Sequence, residues 1–183
     1  MLTITIPPNE VFDESTSEFV MLFSGKTITM EHSLVSISKW ESKWHKSFFT
    51  NSQKTTEELL DYFYDMTITQ NISKDIFNFL SADNIKEITD YINDPMTATT
   101  INETGKNRSS QIVTTELIYS WMIELGIPVE FQKWHINRLL TLIRVRNIRE
   151  EQASGGKKMS KGEILNRNRA LNEARRKKYK THG

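Results

Sequence analysis

The sequence predicts a mainly α protein: a helical domain with a small N-terminal β element and a basic C-terminal helix. Two patterns carry this prediction. Leu2–Ile6 alternates apolar and polar residues with many β-branched side chains, as a short strand does. Beyond Glu31, apolar residues recur at helical spacing between capping signals. We therefore expect a β element at 1–30 packed on the body, a helical domain at 31–150, and a flexible linker with a basic terminal helix at 151–183.

Two further strands are expected within the β element. Pro7 and Pro8 should end the first strand, and the acidic stretch at 9–17 is typical of a loop. Residues 18–23 and 27–30 are predicted to pair as a hairpin around Gly25, because glycine adopts positive φ at little cost. Ser24-Gly25-Lys26-Thr27 also matches the end of a phosphate-binding loop. That motif needs a further glycine where this chain has Val20, so a hairpin turn is the better interpretation.

Capping signals and periodicity place the helices. Ser33 is a suitable N-cap for the first helix, and Thr55 with Glu58 forms a capping box for the second. Gly126 should end one helix and Pro128 begin the next. That next helix is predicted to be the buried central one, because apolar residues cover more than half of its circumference. The predicted helical ranges are 33–48, 55–66, 76–80, 83 or 84 to 94, 113–125, 128–148 and 161–179, with a polar loop at 97–110 and a linker at 152–158.

Charge is divided between the two ends of the chain. Residues 144–183 hold 13 Lys/Arg against 4 Asp/Glu, a net charge of +9, whereas residues 1–143 carry −8. A basic segment of this kind stays solvated until it meets opposite charge, which indicates binding. The terminal helix has too few apolar residues to be stable alone, so we expect it to fold on a partner. The predicted partner-binding residues are Lys157, Lys158, Lys161, Arg167, Arg169, Arg175, Arg176, Lys177 and Lys178.

No group of polar residues predicts catalysis. The four histidines lack metal-ligand spacing, the chain contains no cysteine, and its carboxylate clusters at 10–18 and 57–65 are typical of solvated faces. We therefore expect no catalytic residue, no metal and no cofactor, and predict that the chain is not an enzyme. Its first ten residues have neither the basic region nor the long apolar run of a signal peptide, and no apolar run approaches membrane-spanning length, so we expect no signal peptide and no membrane partner.

Several residues interrupt or fill the apolar faces of the predicted helices. Glu41 and Arg138 each lie within an apolar arc, and a buried charge needs a partner. The two side chains could pair with each other, or each could reach solvent at the rim of its helix. All four tryptophans lie on apolar faces and are predicted to be largely buried. They are Trp40, Trp44, Trp121 and Trp134.

Three stretches of the chain together resemble a known family. They are EHSLVSISKWESKWHKSFF, ELIYSWMIELGIPVEFQKWHINRLLTLIRVRNI and MSKGEILNRNRALNEARRKKY. The chain is similar to the tail assembly chaperones of long, non-contractile-tailed bacteriophages, over most of its length from Glu31 onward. The similarity is general and includes no catalytic signature.

The resemblance implies a mainly helical, non-catalytic protein in the cytoplasm of an infected bacterium. It would bind the phage tape measure protein, promote assembly of the tail tube around it, and be absent from the mature virion. The tail-tube protein and another copy of the chain are further possible partners. Two alternatives stay open: a nucleic-acid-binding phage protein that uses the basic C-terminal helix, and a minor structural component of the virion.

Overall fold

The computed structural model describes residues 1–50, 52–101, 112–153, 162, 165–166 and 168–173, without the side chain of Glu151. Strands precede helices along the chain. The strands are β1 (Leu2–Ile6), β2 (Asn9–Asp13), β3 (Glu18–Phe23) and β4 (Lys26–Met30). The helices are α1 (Leu34–Trp44), α2 (Thr56–Met66), α3 (Ala82–Asn93), α4 (Thr115–Glu124) and α5 (Ile136–Ala153), with 3-10 helices at Lys74–Phe79 and Val129–Lys133. The chain divides into two compact units, Met1–Val145 and Arg146–Gly183.

The strands pair in a nested order that differs from the predicted one. β1 pairs antiparallel with β4, and β2 pairs antiparallel with β3. The predicted hairpin between 18–23 and 27–30 is therefore wrong, and residues 9–13 form a strand where a loop was expected. Pro7 and Pro8 have no backbone N–H, so they interrupt the ladder between the two pairs. Gly25 lies across from them with φ +80°, and a Cβ there would come within 3.1 Å of the Pro8 nitrogen.

The β1–β4 pair contributes one face to the hydrophobic core. Ile4 and Ile6 on β1, and Ile28 and Met30 on β4, are fully buried. The threonines that alternate with them face outward, and their hydroxyls meet across the strands, as at Thr5 and Thr27, 2.9 Å apart. This alternation is the period-2 pattern by which the first strand was predicted, and Leu2–Ile6 is confirmed.

Backbone hydrogen bonds attach the β element to the helices. Glu31 N donates to Met66 O at 2.8 Å, and Ile68 N donates to Thr29 O at 2.8 Å. The residues after α2 thus pair with the end of β4. Asn84, near the start of α3, donates its side-chain amide to Thr5 O at 3.2 Å. The first thirty residues therefore pack on the helical body through β1 and β4.

The helix starts agree with the capping signals better than the helix ends do. Ser33 and Thr55 each form the capping box of α1 and α2, as predicted for Thr55. Ser81 forms a third capping box, so α3 begins at Ala82, just before the predicted start. α1 ends at Trp44 instead of near residue 48, because His45 adopts the left-handed conformation with φ 53° and closes the helix.

The predicted central helix at 128–148 is two elements. Val129–Lys133 is a 3-10 helix, and α5 starts only at Ile136, whose N–H donates to His32 O at 2.7 Å. α5 is buried in its first half, at Ile136, Leu139 and Ile143, whereas Ile148 is exposed. Gln152 and Ala153, predicted as the start of the linker, are the last two residues of α5, and residues 154–158 of the predicted linker lie outside the described residues.

The tryptophans divide into one core residue and three half-buried ones. Trp40 is 1% exposed, and its indole N–H donates to Glu58 O at 2.8 Å. Trp44, Trp121 and Trp134 are partly buried, and Trp44 and Trp121 pack against the core, so of the four predicted tryptophans Trp40 alone is fully buried. Trp134 precedes α5 and stacks on Phe131 with ring centroids 4.0 Å apart.

Candidate protein-binding surface

The feature of the fold most suited to binding is the β2–β3 ribbon, which we define as residues 9–23. Every residue from Pro7 to Leu22 except Asp13 is exposed. Many of these exposed side chains are large and apolar, including Phe19 at 72% and Met21 at 55% exposure. Among the described residues, ring stacking joins the ribbon to the body at its base, where the rings of Phe23 and Phe79 stack with centroids 5.1 Å apart. A contiguous apolar surface left open to water is typical of an interaction site.

Both faces of the ribbon carry apolar side chains. Phe12 lies opposite Phe19, with ring centroids 5.2 Å apart in an edge-to-face arrangement, and Met21 continues this face along β3. Val11 lies opposite Val20 on the other face. The described part of the chain pairs β2 and β3 only with each other. A two-stranded hairpin without cover is marginally stable in water, so a partner on either face would stabilise it.

The turn of the ribbon is built by local hydrogen bonds. Asp13 Oδ1 accepts from the Ser15 backbone N–H at 2.9 Å and from the Ser15 hydroxyl at 2.6 Å. These bonds hold the pKa of Asp13 below its ordinary value. Ser17 adopts positive φ at 57° and returns the chain into β3. The ribbon is therefore shaped by its own sequence at the tip and by the body only at its base.

The ribbon is strongly acidic as well as apolar. Residues 8–25 contain four carboxylates and no lysine or arginine. The carboxylates are Glu10, Asp13, Glu14 and Glu18. Charges along a strand edge oppose pairing with another strand of the same sign, so they limit uncontrolled edge-to-edge aggregation. They also select a partner surface of positive charge.

The predicted partner-binding residues fall almost entirely outside the described residues. Arg169 is described, and it lies exposed in a helical stretch at 168–173. Leu165 and Leu171 in the same segment are also exposed. Lys157, Lys158, Lys161, Arg167, Arg175, Arg176, Lys177 and Lys178 lie outside the described residues. The ribbon itself was not predicted as a site, although its run of apolar residues among carboxylates was visible in the sequence.

Glu41 and Arg138 do not pair with each other. Glu41 is 7% exposed and its oxygens accept from Phe48 N at 2.7 Å, from Thr115 N at 2.8 Å and from the Thr115 hydroxyl at 2.6 Å. The guanidinium of Arg138 lies over the ring of Trp134 at 4.0 Å. Glu41 thus joins the end of α1 to the start of α4, and Arg138 covers a half-buried indole.

A buried polar cluster joins segments that are far apart in sequence. The rings of His32 and His135 meet at 5.0 Å, and the Tyr62 hydroxyl contacts Nδ1 of His32. Tyr91 donates its hydroxyl to Glu31 Oε1 at 2.6 Å. His135 Nε2 donates to Tyr91 O at 3.0 Å, and its Nδ1 accepts from Asn137 N at 3.3 Å. This pattern of one donor and one acceptor is that of a neutral imidazole.

Burial controls the protonation of this cluster. Desolvation, with the neighbouring His135, lowers the pKa of His32 to about 3, and desolvation also lowers the pKa of His135. Desolvation raises the pKa of both Tyr62 and Tyr91 above the ordinary value. These groups are neutral near pH 7 and are engaged within the core, so we assign the cluster a structural role. Sequence spacing did not reveal it, because its members come from four separate segments of the chain.

A second polar cluster lies on the surface where α1 meets α2. Asp61 is buried, and its carboxylate pairs with the ammonium groups of both Lys43 and Lys74. Lys46 pairs with Glu58 Oε1 at 2.6 Å, which together with the Thr55 backbone N–H lowers the pKa of Glu58. These ion pairs join α1, α2 and the 3-10 helix that follows. The ammonium groups of Lys43, Lys46 and Lys74 are thus neutralised by carboxylates of the same chain, so these lysines do not form a free basic surface.

The described residues contain no group of three or more His, Asp or Glu side chains arranged to hold a metal ion. In that same part of the chain, no helix has both the length and the apolar character needed to cross a membrane. In comparisons with known proteins, no family model, no curated protein and no solved structure matches this chain.

Proposed function

We propose that this chain is a non-enzymatic tail assembly chaperone of a long, non-contractile-tailed bacteriophage. In this proposal it binds the tape measure protein in the cytoplasm of the infected bacterium, promotes assembly of the tail tube around it, and leaves before the virion is complete. The observation that carries the proposal is the β2–β3 ribbon, with apolar side chains on both faces. The sequence resemblance supplies the identity of the partner.

The ribbon suits a protein that protects an aggregation-prone chain. Such a chaperone must offer apolar surface to its client and yet remain soluble itself. Phe12, Phe19 and Met21 supply the apolar surface, and the four carboxylates of the ribbon supply the charge that keeps free copies apart. An exposed, acidic and apolar hairpin combines these two requirements without an active site.

The basic terminal segment extends the proposal to a second contact. We propose that residues 161–179 form a basic helix on binding, and that Lys157, Lys158, Lys161, Arg167, Arg169, Arg175, Arg176, Lys177 and Lys178 contact acidic surface on the client or on the tail-tube protein. Support comes from the net charge of the segment and from the exposed Arg169. Contacts of this kind should weaken as salt is added.

Co-expression tests the proposed function. We expect the tape measure protein of the same phage to be more soluble, and to co-purify, when this chain is present. The variant Phe19→Ser should reduce this effect because it removes the most exposed ring of the ribbon. The matched control is Ile123→Ser, which removes an 80% exposed apolar side chain from α4. If neither solubility nor co-purification changes in the presence of the chain, the proposal is wrong.

Nucleic acid is the second candidate partner, and the surplus of Lys and Arg after residue 143 favours it. Binding to nucleic acid by several phosphate contacts should fall roughly tenfold or more between about 50 and 200 mM salt. A ribbon variant such as Phe19→Ser should leave this binding unchanged. Mass spectrometry of purified particles separates both functions from a structural role, since a virion component would be found there at stoichiometric amounts.

A further inference from the structure

The chemistry of the β2–β3 ribbon restricts what can cover it. The cover must bury Phe12, Phe19 and Met21 on one face, and it must also balance four carboxylates. A second ribbon would bring four more negative charges to the interface, and like charges placed together across an interface cost binding free energy. The remainder of residues 1–143 also carries net negative charge. Symmetric ribbon-to-ribbon contact is therefore disfavoured.

The same chain contains a segment with the complementary character. Residues 154–183 hold ten Lys/Arg and two Asp/Glu, a net charge of +8. Where this segment is described, Arg169 and the side chains of Leu165 and Leu171 are exposed. It thus combines positive charge with uncovered apolar side chains, as the ribbon combines negative charge with them. Complementary charge brings two such surfaces together and sets which surfaces meet.

We propose that the β2–β3 ribbon of one copy binds the basic terminal segment, residues 154–183, of a second copy. The interface is heterologous, because the two copies contribute different surfaces. Each copy in such a pair keeps one free ribbon or one free terminal segment, so association continues into rings or open chains unless a client replaces one partner. This inference goes beyond the proposed function and does not depend on it, because it concerns the purified chain alone.

Sedimentation velocity of the full chain at rising protein concentration tests this interface. In about 0.1 M salt we expect species larger than a dimer, and in about 1 M salt, where the Debye length falls from about 10 Å to about 3 Å, we expect monomer. Phe19→Ser should raise the concentration needed for association by roughly tenfold or more, as loss of a large apolar anchor does. Ile123→Ser should leave that concentration unchanged.

Mixing two variants tests the head-to-tail arrangement directly. One variant has a weakened ribbon, with Phe19→Ser and Met21→Ser. The other has a weakened terminal segment, with Arg169→Glu, Arg175→Glu and Arg176→Glu, which lower the net charge of residues 154–183 from +8 to +2. Each should be monomeric alone, because each lacks one of the two surfaces. When the two variants are mixed, the intact terminal segment of the ribbon variant should bind the intact ribbon of the other variant. The product should be a one-to-one dimer that grows no further.

The mixing result also controls for misfolding. A dimer forms only if the first variant retains a working terminal segment and the second a working ribbon. Wild-type chain that is monomeric at every concentration in low salt would overturn the proposal, as would oligomers that persist in both variants or in high salt. Variants that are monomeric alone and stay monomeric when mixed, while the wild-type chain associates, would also overturn it. These outcomes concern the purified chain alone, so they stay the same even if the chain fails to solubilise the tape measure protein in cells and the proposed function is wrong.

Discussion

Acidification should destabilise this protein through the buried histidine pair. The folded protein holds His32 neutral, because burial and the adjacent His135 lower its pKa to about 3. In the unfolded chain the pKa returns to its ordinary value near 6.5. Below that value the imidazole of His32 binds a proton in the unfolded state but stays neutral in the folded state. The stabilising effect is therefore complete above about pH 6.5 and is lost progressively as the pH falls toward 3.

The magnitude follows from the size of the pKa shift. Each pH unit below 6.5 lowers the free energy of unfolding by about 1.4 kcal/mol for one histidine held neutral. Between about pH 7.5 and about pH 4.5, the protonation of His32 in the unfolded state should by itself lower the free energy of unfolding by about 2.7 kcal/mol. His135, whose pKa is also lowered by burial, adds to the loss in the same direction. No charged carboxylate contacts His32 directly in the described cluster; Glu31 there accepts from Tyr91.

Urea unfolding followed by tryptophan fluorescence measures this effect. We compare the wild-type chain with His32→Gln, which keeps a hydrogen-bonding side chain near Tyr62 but cannot titrate in this range. Over that pH interval, the free energy of unfolding of the variant should fall by about 2.7 kcal/mol less than that of the wild type, whatever the variant's stability at neutral pH. His45→Asn, at an exposed left-handed position, is the control and should retain the wild-type pH dependence. Equal pH dependence of wild type and His32→Gln would refute the reasoning.

Three further pairs of substitutions test the packing by urea or thermal unfolding. Glu41→Ala should lower the free energy of unfolding by about 2–4 kcal/mol, because it leaves buried N–H groups without an acceptor. Glu41→Gln keeps one acceptor oxygen and should lower it less, so equal losses for the two variants would contradict this prediction. Gly25→Ala should lower the free energy of unfolding by about 2 kcal/mol or more, because the strain of positive φ and the close contact of the new Cβ with Pro8 both destabilise the fold. Gly126→Ala, which has positive φ but no atom near its Cβ, should lower it by about 1 kcal/mol. Equal losses would show that the contact at Pro8 is unimportant. Trp40→Ala should cost about 3–5 kcal/mol as a fully buried aromatic and Trp134→Ala clearly less; the reverse order would place the core around α5 instead of α1.

Signals within a few residues of each other were sufficient to predict some of the elements. The alternation in Leu2–Ile6 and the capping box of Thr55 with Glu58 act over two to three positions, and both are found where the sequence placed them. Helix ends were predicted less well. Apolar periodicity continued past Trp44 and across the break before Ile136, and periodicity does not record where the backbone turns.

The ribbon shows where local signals mislead. Residues 9–13 contain residue types that are depleted in strands, which favours a loop when the stretch is considered alone. In the fold they pair with β3, because Val11 and Phe12 lie directly opposite Val20 and Phe19. Cross-strand contact between these side chains outweighs the weak intrinsic preference. The site was therefore present in the composition of residues 9–23 and became visible only once the strand partners were known.

By itself, the sequence determined that the chain has many helices, and it also determined the first strand, the capped starts of α1 and α2, and the division of charge between the two ends. Those properties depend on neighbours in the chain or on composition. Tertiary structure decided which strands pair, what satisfies Glu41 and how His32 meets His135. Glu41 reaches Thr115 across 74 positions, and the two histidines are brought together by the start of α5. Such contacts carry no local signal, because they are set by the burial of distant segments in one core, and only the packed fold brings these groups within reach.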